Sequence, residues 1–341
     1  MTERLEDIAI ALVAAGKGIL AADESSGTIK KRFDAIHLAS TDETRRDYRE
    51  MLFRSEEAMK NYISGVILYD ETIRQKAKDG TPLVEIIQKT GAIPGIKVDA
   101  GAKPLAGFDG ETITEGLDGL RERLNEYHAL GARFAKWRAV ISISDGLPTW
   151  GAVKQNAQAL ARYAALCQEG NIVPIVEPEV LMDGQPGDHT IDRCYEVTEW
   201  VLKTVFAELY DARVKLEGMI LKPNMIIDGK KAREASIEEV AEKTVRCFRN
   251  TVPAAVPGIA FLSGGQTGEE ATAHLSAMNA AYDMPWKMTF SYGRALQAAA
   301  LDAWGGMQAN ITAGQRAFAH RAKMNGLAAT GGWKSELEKA A

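Results

Sequence analysis

Cysteine and histidine are scarce in this chain, and neither is spaced to bind a metal ion. The 341 residues include three isolated cysteines, Cys167, Cys194 and Cys247, with no C-x-x-C pair, and five scattered histidines. This pattern argues against a disulfide framework, a zinc knuckle and a histidine-held catalytic metal. We therefore expect no metal and no cofactor, and we expect the cysteines to be buried as free thiols within helices.

The chain also lacks a long hydrophobic run and an excess of positive charge. No run reaches the roughly 18 apolar residues of a membrane-spanning helix, and the charged start MTERLEDIAI does not resemble a secretory signal. The net charge of −5 argues against general binding to nucleic acid or to anionic membranes. We expect a cytoplasmic protein without nucleic-acid or membrane partners, although a local cationic pocket can still bind a phosphorylated metabolite.

Short apolar runs alternate with segments of helical length along the chain. The runs are nearly continuous in Val, Ile and Leu, which is typical of strands buried on both faces of a parallel sheet. The eight runs are residues 18–23, 63–70, 95–100, 133–138, 171–179, 217–224, 258–265 and 287–293.

The segments between the runs have the periodicity of amphipathic helices. Residues 236–250 and 188–210 each place apolar side chains on one stripe at 3.6-residue spacing. Ser236 with Glu239 predicts a capping box at the start of the first of these helices, and Thr267 with Glu270 predicts another farther on.

Eight strand–helix units without a Pro/Gly-rich linker predict an α/β fold, a single (β/α)₈ TIM barrel over residues 1–341. A doubly wound open sheet would also alternate, but its G-x-G-x-x-G fingerprint does not follow the first strand. We expect an N-terminal helix over about residues 1–15. A trailing helix from about residue 310 should end in a short polar tail over about 330–341.

Polar residues interrupt the runs near their C-terminal ends, where burial would be costly. In a (β/α)₈ barrel these ends converge on one mouth, where active sites lie. Lys136 and Lys222 would meet there, and a lysine loses its proton more easily when it is partly buried near a second cation. An uncharged lysine can attack a ketone to form an iminium ion, and neighbouring carboxylates can move the protons. The pattern indicates aldol chemistry, with mutually neutralising ion pairs as the alternative.

The glycines after the seventh run indicate a phosphate site. Residues 263–265, Ser-Gly-Gly, precede a capped helix, so free backbone N–H groups can bind an anion there. The last two strands of a barrel often form such a site, and Arg294 can clamp a phosphate bidentately. A simple turn at the glycine pair is the alternative.

Motifs at successive strand ends resemble those of class I fructose-bisphosphate aldolases. They include FAKWR (134–138), IVPIVEPE (172–179), LKPNM (221–225), FLSGGQ (261–266) and FSYGRALQ (290–297). The resemblance runs from about residue 5 to residue 325. It implies a metal-free, Schiff-base cleavage of fructose 1,6-bisphosphate to dihydroxyacetone phosphate and glyceraldehyde 3-phosphate, in a cytoplasmic homotetramer.

The resemblance also implies roles for particular residues. Lys222 would attack the C2 carbonyl of the ketose, and Glu177 would be the general acid and base of that step. Glu179 would position its neighbours, and Lys136 would help to keep Lys222 unprotonated. Asp23 would take the proton of the C4 hydroxyl as the C3–C4 bond breaks.

Two groups of residues match the phosphate sites of the family. The site for one phosphate would comprise Ser263, Gly264, Ser291, Gly293 and Arg294. The entrance that meets the other phosphate would comprise Ser25, Thr28 and Arg32, with Lys31 and Arg138 lining the mouth.

The chain departs from well-known animal and plant members of the family at two places. Ala100 replaces a lysine that helps to hold the distal phosphate, so either Lys103 reaches in or that phosphate is held more weakly. The chain ends in KSELEKAA and lacks the longer tail with a terminal tyrosine. A lysine-dependent aldolase for another ketose phosphate therefore remains as an alternative. A barrel with mainly a scaffold role is a further alternative, but a scaffold needs none of Lys222, Glu177 and Asp23, so the presence of all three argues against it.

Overall fold

The computed structural model describes residues 3–182, 184 and 186–339. Eight of its strands belong to one closed sheet, and two more form a hairpin. The barrel strands are β1 Gly18–Ala22, β2 Ile63–Leu68, β3 Ile93–Lys97, β6 Phe134–Ile141, β7 Val173–Val180, β8 Ile220–Leu221, β9 Gly258–Phe261 and β10 Lys287–Tyr292, and the hairpin strands are β4 Ala102–Pro104 and β5 Thr112–Thr114.

The barrel strands are hydrogen-bonded in the order β1-β10-β9-β8-β7-β6-β3-β2, and β2 pairs with β1 again to close the sheet. All of these pairings are parallel. Parallel neighbours require a crossover on the outside of the sheet, and helices supply it here. The prediction of a (β/α)₈ barrel is confirmed.

Thirteen α-helices of the described residues precede, connect and follow the strands. The helices are α1 Leu5–Leu12, α2 Ser26–Asp34, α3 Asp42–Phe53, α4 Glu56–Asn61, α5 Asp70–Arg74, α6 Leu83–Lys89, α7 Leu120–Ala129, α8 Trp150–Glu169, α9 Ile191–Asp211, α10 Ile237–Thr251, α11 Gly268–Ala281, α12 Arg294–Trp304 and α13 Ile311–Ala328. No helix in this part of the chain is long and apolar enough to cross a bilayer.

The two predicted capping boxes differ in the structure. Thr267 and Glu270 form a complete box at α11, because each side chain accepts a hydrogen bond from the other residue's backbone N–H. At α10 the Ser236 hydroxyl accepts from Glu239 N, but no reciprocal bond forms. The Glu239 carboxylate lies 3.3 Å from Lys243 Nζ instead. An i,i+4 ion pair therefore replaces the hydrogen bond that the Glu239 carboxylate would accept from Ser236 N in a complete capping box.

Some strand boundaries also differ from the predicted ones. The run 217–224 contains only the two-residue strand β8, because a 3₁₀ turn occupies Leu216–Gly218 and Pro223 has no N–H to continue the ladder. The run 95–100 ends as a strand at Lys97. The β4–β5 hairpin was not predicted. Its Thr114 hydroxyl donates to Arg138 O at 2.7 Å, which places the hairpin beside β6.

Helix α1 closes the end of the barrel at which the strands begin. Ile8, Ala9 and Leu12 are buried in one cluster with inward-facing side chains of the barrel strands. Phe134, at the start of β6, is fully buried in this cluster. The N-terminal end of the barrel is therefore packed with apolar side chains.

Two glycines make room for this packing. A methyl group added at Gly65 would lie 2.7 Å from Leu12 Cδ2, and one added at Gly95 would overlap the ring of Phe134. Glycine is therefore required on β2 and β3 because a helix side chain and an aromatic ring occupy the space of its side chain.

We predict that Gly95→Ala lowers the free energy of unfolding by about 1–3 kcal/mol, since a well-packed core tolerates extra methyl groups poorly. Urea unfolding followed by circular dichroism measures the change. Gly27→Ala is the matched control, because nothing lies within 4 Å of the position of its added methyl group. An equal loss in both variants would contradict this account of the core.

Candidate active site

The charged side chains of β6 and β7 point into the barrel because alternate residues of a strand face the same side. Lys136 and Arg138 line the mouth from β6, and Glu177 and Glu179 line it from β7. Arg138 pairs with Glu177 in the parallel register of the two strands. Trp137, between the two cations, faces outward and packs on Tyr163 of α8 at a ring distance of 5.6 Å.

Lys222 follows β8 directly and keeps the geometry of the sheet. Its backbone N–H donates to Val176 O at 2.8 Å, which fixes the start of its side chain beside β7. The Nζ atom lies 3.2 Å from Oε1 of Glu177. The residue is only 4 % exposed, so the amine lies inside the mouth and does not point into solvent.

Lys136 connects the carboxylates of two other strands. Its Nζ lies 2.8 Å from Oδ2 of Asp23, which follows β1, and 3.3 Å from Oε2 of Glu177. Glu177 therefore contacts both lysines, one through each oxygen. Two carboxylates and two amines, on β6 and β7 and directly after β1 and β8, form one contiguous cluster, in which Asp23 is the most exposed member.

Mutual attraction within this cluster outweighs the effect of burial on its charges. Burial alone would raise the pKa of Asp23 and of Glu177, but Lys136 and Lys222 hold both pKa values below the usual range. Burial would lower the pKa of Lys136, but Asp23, Glu177 and Asp99 raise it. Lys136 is therefore a fixed cation between ionised carboxylates.

A cavity of about 310 Å³ opens at this end of the barrel, and we call it the mouth cavity. Glu179 lies in its wall, where its carboxylate pairs with the Arg138 guanidinium. The sequence-predicted residues that line the mouth cavity are Asp23, Ser25, Thr28, Arg32, Lys136, Arg138, Glu177, Glu179, Lys222, Ser263, Gly264, Ser291 and Gly293.

Three predicted residues do not line the mouth cavity. Lys31 is exposed on α2, and Lys103 is exposed on β4 of the hairpin. Arg294, the first residue of α12, lines a neighbouring cavity. The structure therefore does not bring these three side chains together with the rest of the predicted site.

Sequence reasoning missed three charged residues of the mouth cavity, and two of them had a detectable signal. Lys97 and Asp99 alternate with Val98 at the end of β3, so their period of two points both side chains inward. Lys97 Nζ lies 3.5 Å from Oδ1 of Asp99.

The third missed residue, Glu24, is held by groups that are far away in sequence. Its carboxylate accepts a hydrogen bond from Gln297 Nε2 at 2.9 Å and one from Arg32. Arg49 of α3, which is almost fully buried, donates to Glu24 O at 2.8 Å. These contacts orient Arg32 toward the mouth, and no local sequence pattern indicates them.

Comparison with known proteins agrees with this geometry. The family model described as fructose-bisphosphate aldolase class-I matches residues 4–341. A probable fructose-bisphosphate aldolase class 1 from Xanthomonas campestris pv. campestris is 57 % identical over 334 residues, covering 97 % of this chain and 99 % of that protein. Fructose-bisphosphate aldolase C from Rattus norvegicus is 53 % identical over 331 residues, covering 96 % of this chain and 90 % of that protein.

A solved structure is similar over nearly its whole length. It is the fructose-bisphosphate aldolase from Plasmodium falciparum in complex with TRAP and a small-molecule inhibitor. The TM-score is 0.93 at 47 % identity, covering 97 % of this chain and 95 % of that one.

The chain belongs to the class I fructose-bisphosphate aldolase family. It is a lyase of glycolysis that cleaves fructose 1,6-bisphosphate reversibly, and its substrate is a phosphorylated sugar. Enzymes of this class react through a lysine Schiff base and not through a metal ion. Within residues 3–182, 184 and 186–339, no three His, Cys, Asp or Glu side chains are grouped to bind a metal.

We predict that Lys136→Met lowers the free energy of unfolding by about 3–5 kcal/mol at pH 7, because it leaves buried carboxylates without their cation. The pKa values of Asp23 and Glu177 are lowered by folding, so the stability from their pairing is fully present above about pH 5. It is lost progressively as the pH falls below about 4 toward the lowered pKa values of the folded protein. Because folding raises the pKa of Lys136, the contribution of this residue to the free energy of unfolding remains up to about pH 10.

Unfolding of wild type and Lys136→Met at pH 7 and pH 3 measures this effect. The difference between the two proteins should be smaller at pH 3. Lys231→Met, at an exposed lysine, should match wild type at both pH values. A difference that is independent of pH would contradict the assignment of the ion pairs.

Proposed function

We propose that Lys222 is the residue of this chain that forms the Schiff base with C2 of the ketose. The observation that carries the proposal is the position of its amine, buried in the mouth and 3.2 Å from Glu177. An amine attacks a carbonyl only without its proton, and the Glu177 carboxylate is close enough to accept that proton.

Glu177 is the general acid and base of Schiff-base formation in this proposal. After the amine adds to C2, the carbinolamine must lose its hydroxyl group as water, which requires a proton at that oxygen. Glu177 contacts both Lys136 and Lys222, so it can take a proton from the attacking amine and return it to the leaving hydroxyl. Glu179, paired with Arg138, positions the neighbouring wall of the site.

Asp23 is the base for cleavage of the carbon–carbon bond. The iminium at C2 draws the electron pair of the C3–C4 bond, which leaves an enamine on Lys222 and an aldehyde at C4. The C4 hydroxyl gives up its proton in this step, and Asp23 receives it. Lys136, 2.8 Å away, keeps Asp23 ionised before the step.

The two phosphates of the substrate would bind at opposite sides of the mouth. One site comprises Ser263, Gly264, Ser291 and Gly293, with Arg294 turning in from the neighbouring cavity. The other comprises Ser25, which caps α2, and Thr28 and Arg32 on α2, with Lys31 and Arg138 at the rim. Lys97 lines the cavity and Lys103 does not, so Lys97 is the better-placed cation for the distal phosphate in a chain with Ala100.

We also propose a cytoplasmic homotetramer, the state common among members of this family. The three free thiols are buried, which fits a reducing compartment. We expect the chain to bind a phosphorylated sugar and not nucleic acid, and the net charge of −5 agrees with this expectation.

Lys222→Met should abolish turnover and the trapping of dihydroxyacetone phosphate by borohydride, because methionine has no nucleophilic nitrogen. Intact-mass and peptide mass spectrometry measure the reduced adduct. Lys97→Met is the matched control, since it removes another amine of the mouth cavity and should leave the adduct on residue 222. An adduct that persists in Lys222→Met would refute the proposal.

Glu177→Gln should slow turnover by about 10²–10⁴, which is the usual contribution of a general acid and base. The amide has the shape of the carboxylate but cannot accept the proton. Steady-state kinetics with fructose 1,6-bisphosphate should show the loss mainly in kcat. A variant with wild-type kcat would remove Glu177 from the mechanism.

A further inference from the structure

A second cavity, of about 520 Å³, lies directly beside the mouth cavity. The loop after β9 and the start of α12 separate the two. Gly264 and Gly293 line the mouth cavity, whereas the residues that follow them, Gly265 and Arg294, line the second cavity. The second cavity is the larger of the two, so it can hold a group of at least the size of a phosphate ester.

The second cavity has a positive lining. Lys230, Arg233 and Arg294 contribute three cations, and Glu270 is the acidic residue of the wall. Glu270 already accepts a hydrogen bond from Thr267 N, and its other oxygen is 3.4 Å from Arg233 Nη1. Charge compensation within the wall is therefore incomplete, which favours an anionic ligand.

Buried donors in the wall lack acceptors among the described residues. Gln266 is only 3 % exposed, and its Oε1 is 2.6 Å from His274 Nδ1, but its Nε2 has no hydrogen-bond partner. The Nε and Nη2 atoms of Arg233 are buried without a partner as well. Buried donors are costly unless an acceptor reaches them, and a ligand rich in acceptor oxygens would supply one.

Helix α11 begins at the same wall. Thr267 and Gly268 line the second cavity, and the Thr267 side chain caps Glu270 N. The N–H groups of the first turn are those that a helix leaves without backbone partners, and they favour an anion. The capping box already takes the N–H groups of Thr267 and Glu270, so the side-chain donors of Gln266 and Arg233 are the main ones that a ligand would meet here.

We propose that the second cavity is a binding site for a phosphate-bearing anion, held by Lys230, Arg233 and the buried amide of Gln266. The site is separate from the mouth cavity, and Arg294 lies at the boundary between the two. Binding here does not require Schiff-base formation at Lys222.

Selenate, an oxyanion with the tetrahedral shape of phosphate, can locate the site in crystals of the full chain through its anomalous scattering. We expect a selenium peak within hydrogen-bond distance of Lys230 and Arg233, in wild type and equally in Lys222→Met. Peaks confined to the mouth cavity would overturn the proposal. Persistence of the peak in Lys222→Met separates this result from the fate of the proposed mechanism.

Inorganic phosphate measures the affinity in solution, because a ligand that binds only the folded state raises Tm with concentration. The double variant Lys230→Met with Arg233→Met should bind phosphate roughly tenfold more weakly, as expected for the loss of charge-assisted hydrogen bonds. The same rise in Tm should then require a correspondingly higher phosphate concentration. Lys231→Met is the matched control, since Lys231 is exposed next to Lys230 and does not line the cavity.

Turnover in phosphate-free buffer should remain near the wild-type value in the double variant. Lys230→Met alone provides a milder test if the double variant does not fold, because Lys230 is exposed. Identical phosphate titrations of wild type, Lys230→Met and Lys231→Met would overturn the proposal.

Discussion

The contact of Lys136 with Asp23 and Glu177 is the interaction on which the rest of the site depends. Each buried ion costs several kcal/mol to remove from water, and only close opposite charges offset that cost. Without Lys136, two nearby carboxylates would repel each other, and one would be driven to bind a proton. Asp23 follows β1, whereas Lys136 and Glu177 belong to β6 and β7, so the cluster can form only when the barrel closes.

The fold was predictable from the sequence because apolar runs and amphipathic segments alternate eight times, and closure requires no further local signal. The boundaries were less predictable. The run 217–224 begins with Glu217 and Gly218, which belong to a 3₁₀ turn, so that only Ile220 and Leu221 form the strand β8. The β4–β5 hairpin could not be predicted from the sequence, because three-residue strands are too short to show a periodicity.

The centre of the site was predictable for a similar reason. A period of two at a strand end marks inward-facing side chains, and Lys136 with Arg138 and Glu177 with Glu179 follow it. The support of Glu24 by Gln297, on a helix 273 residues away, has no such signature. The direction of the Arg294 side chain was equally unpredictable, because rotation about its own bonds decides which of two adjacent cavities it enters.

The packing of α1 against the start of the strands has a consequence for the order of events. Ile8, Leu12 and Phe134 fill that end of the barrel, so substrate and products enter and leave the site through the opposite end. The three-carbon aldehyde and the three-carbon ketone must therefore both leave through the mouth of the barrel. If the ketone remains covalently tethered while the aldehyde departs, the two fragments cannot obstruct each other, and the enzyme releases its products in a defined sequence.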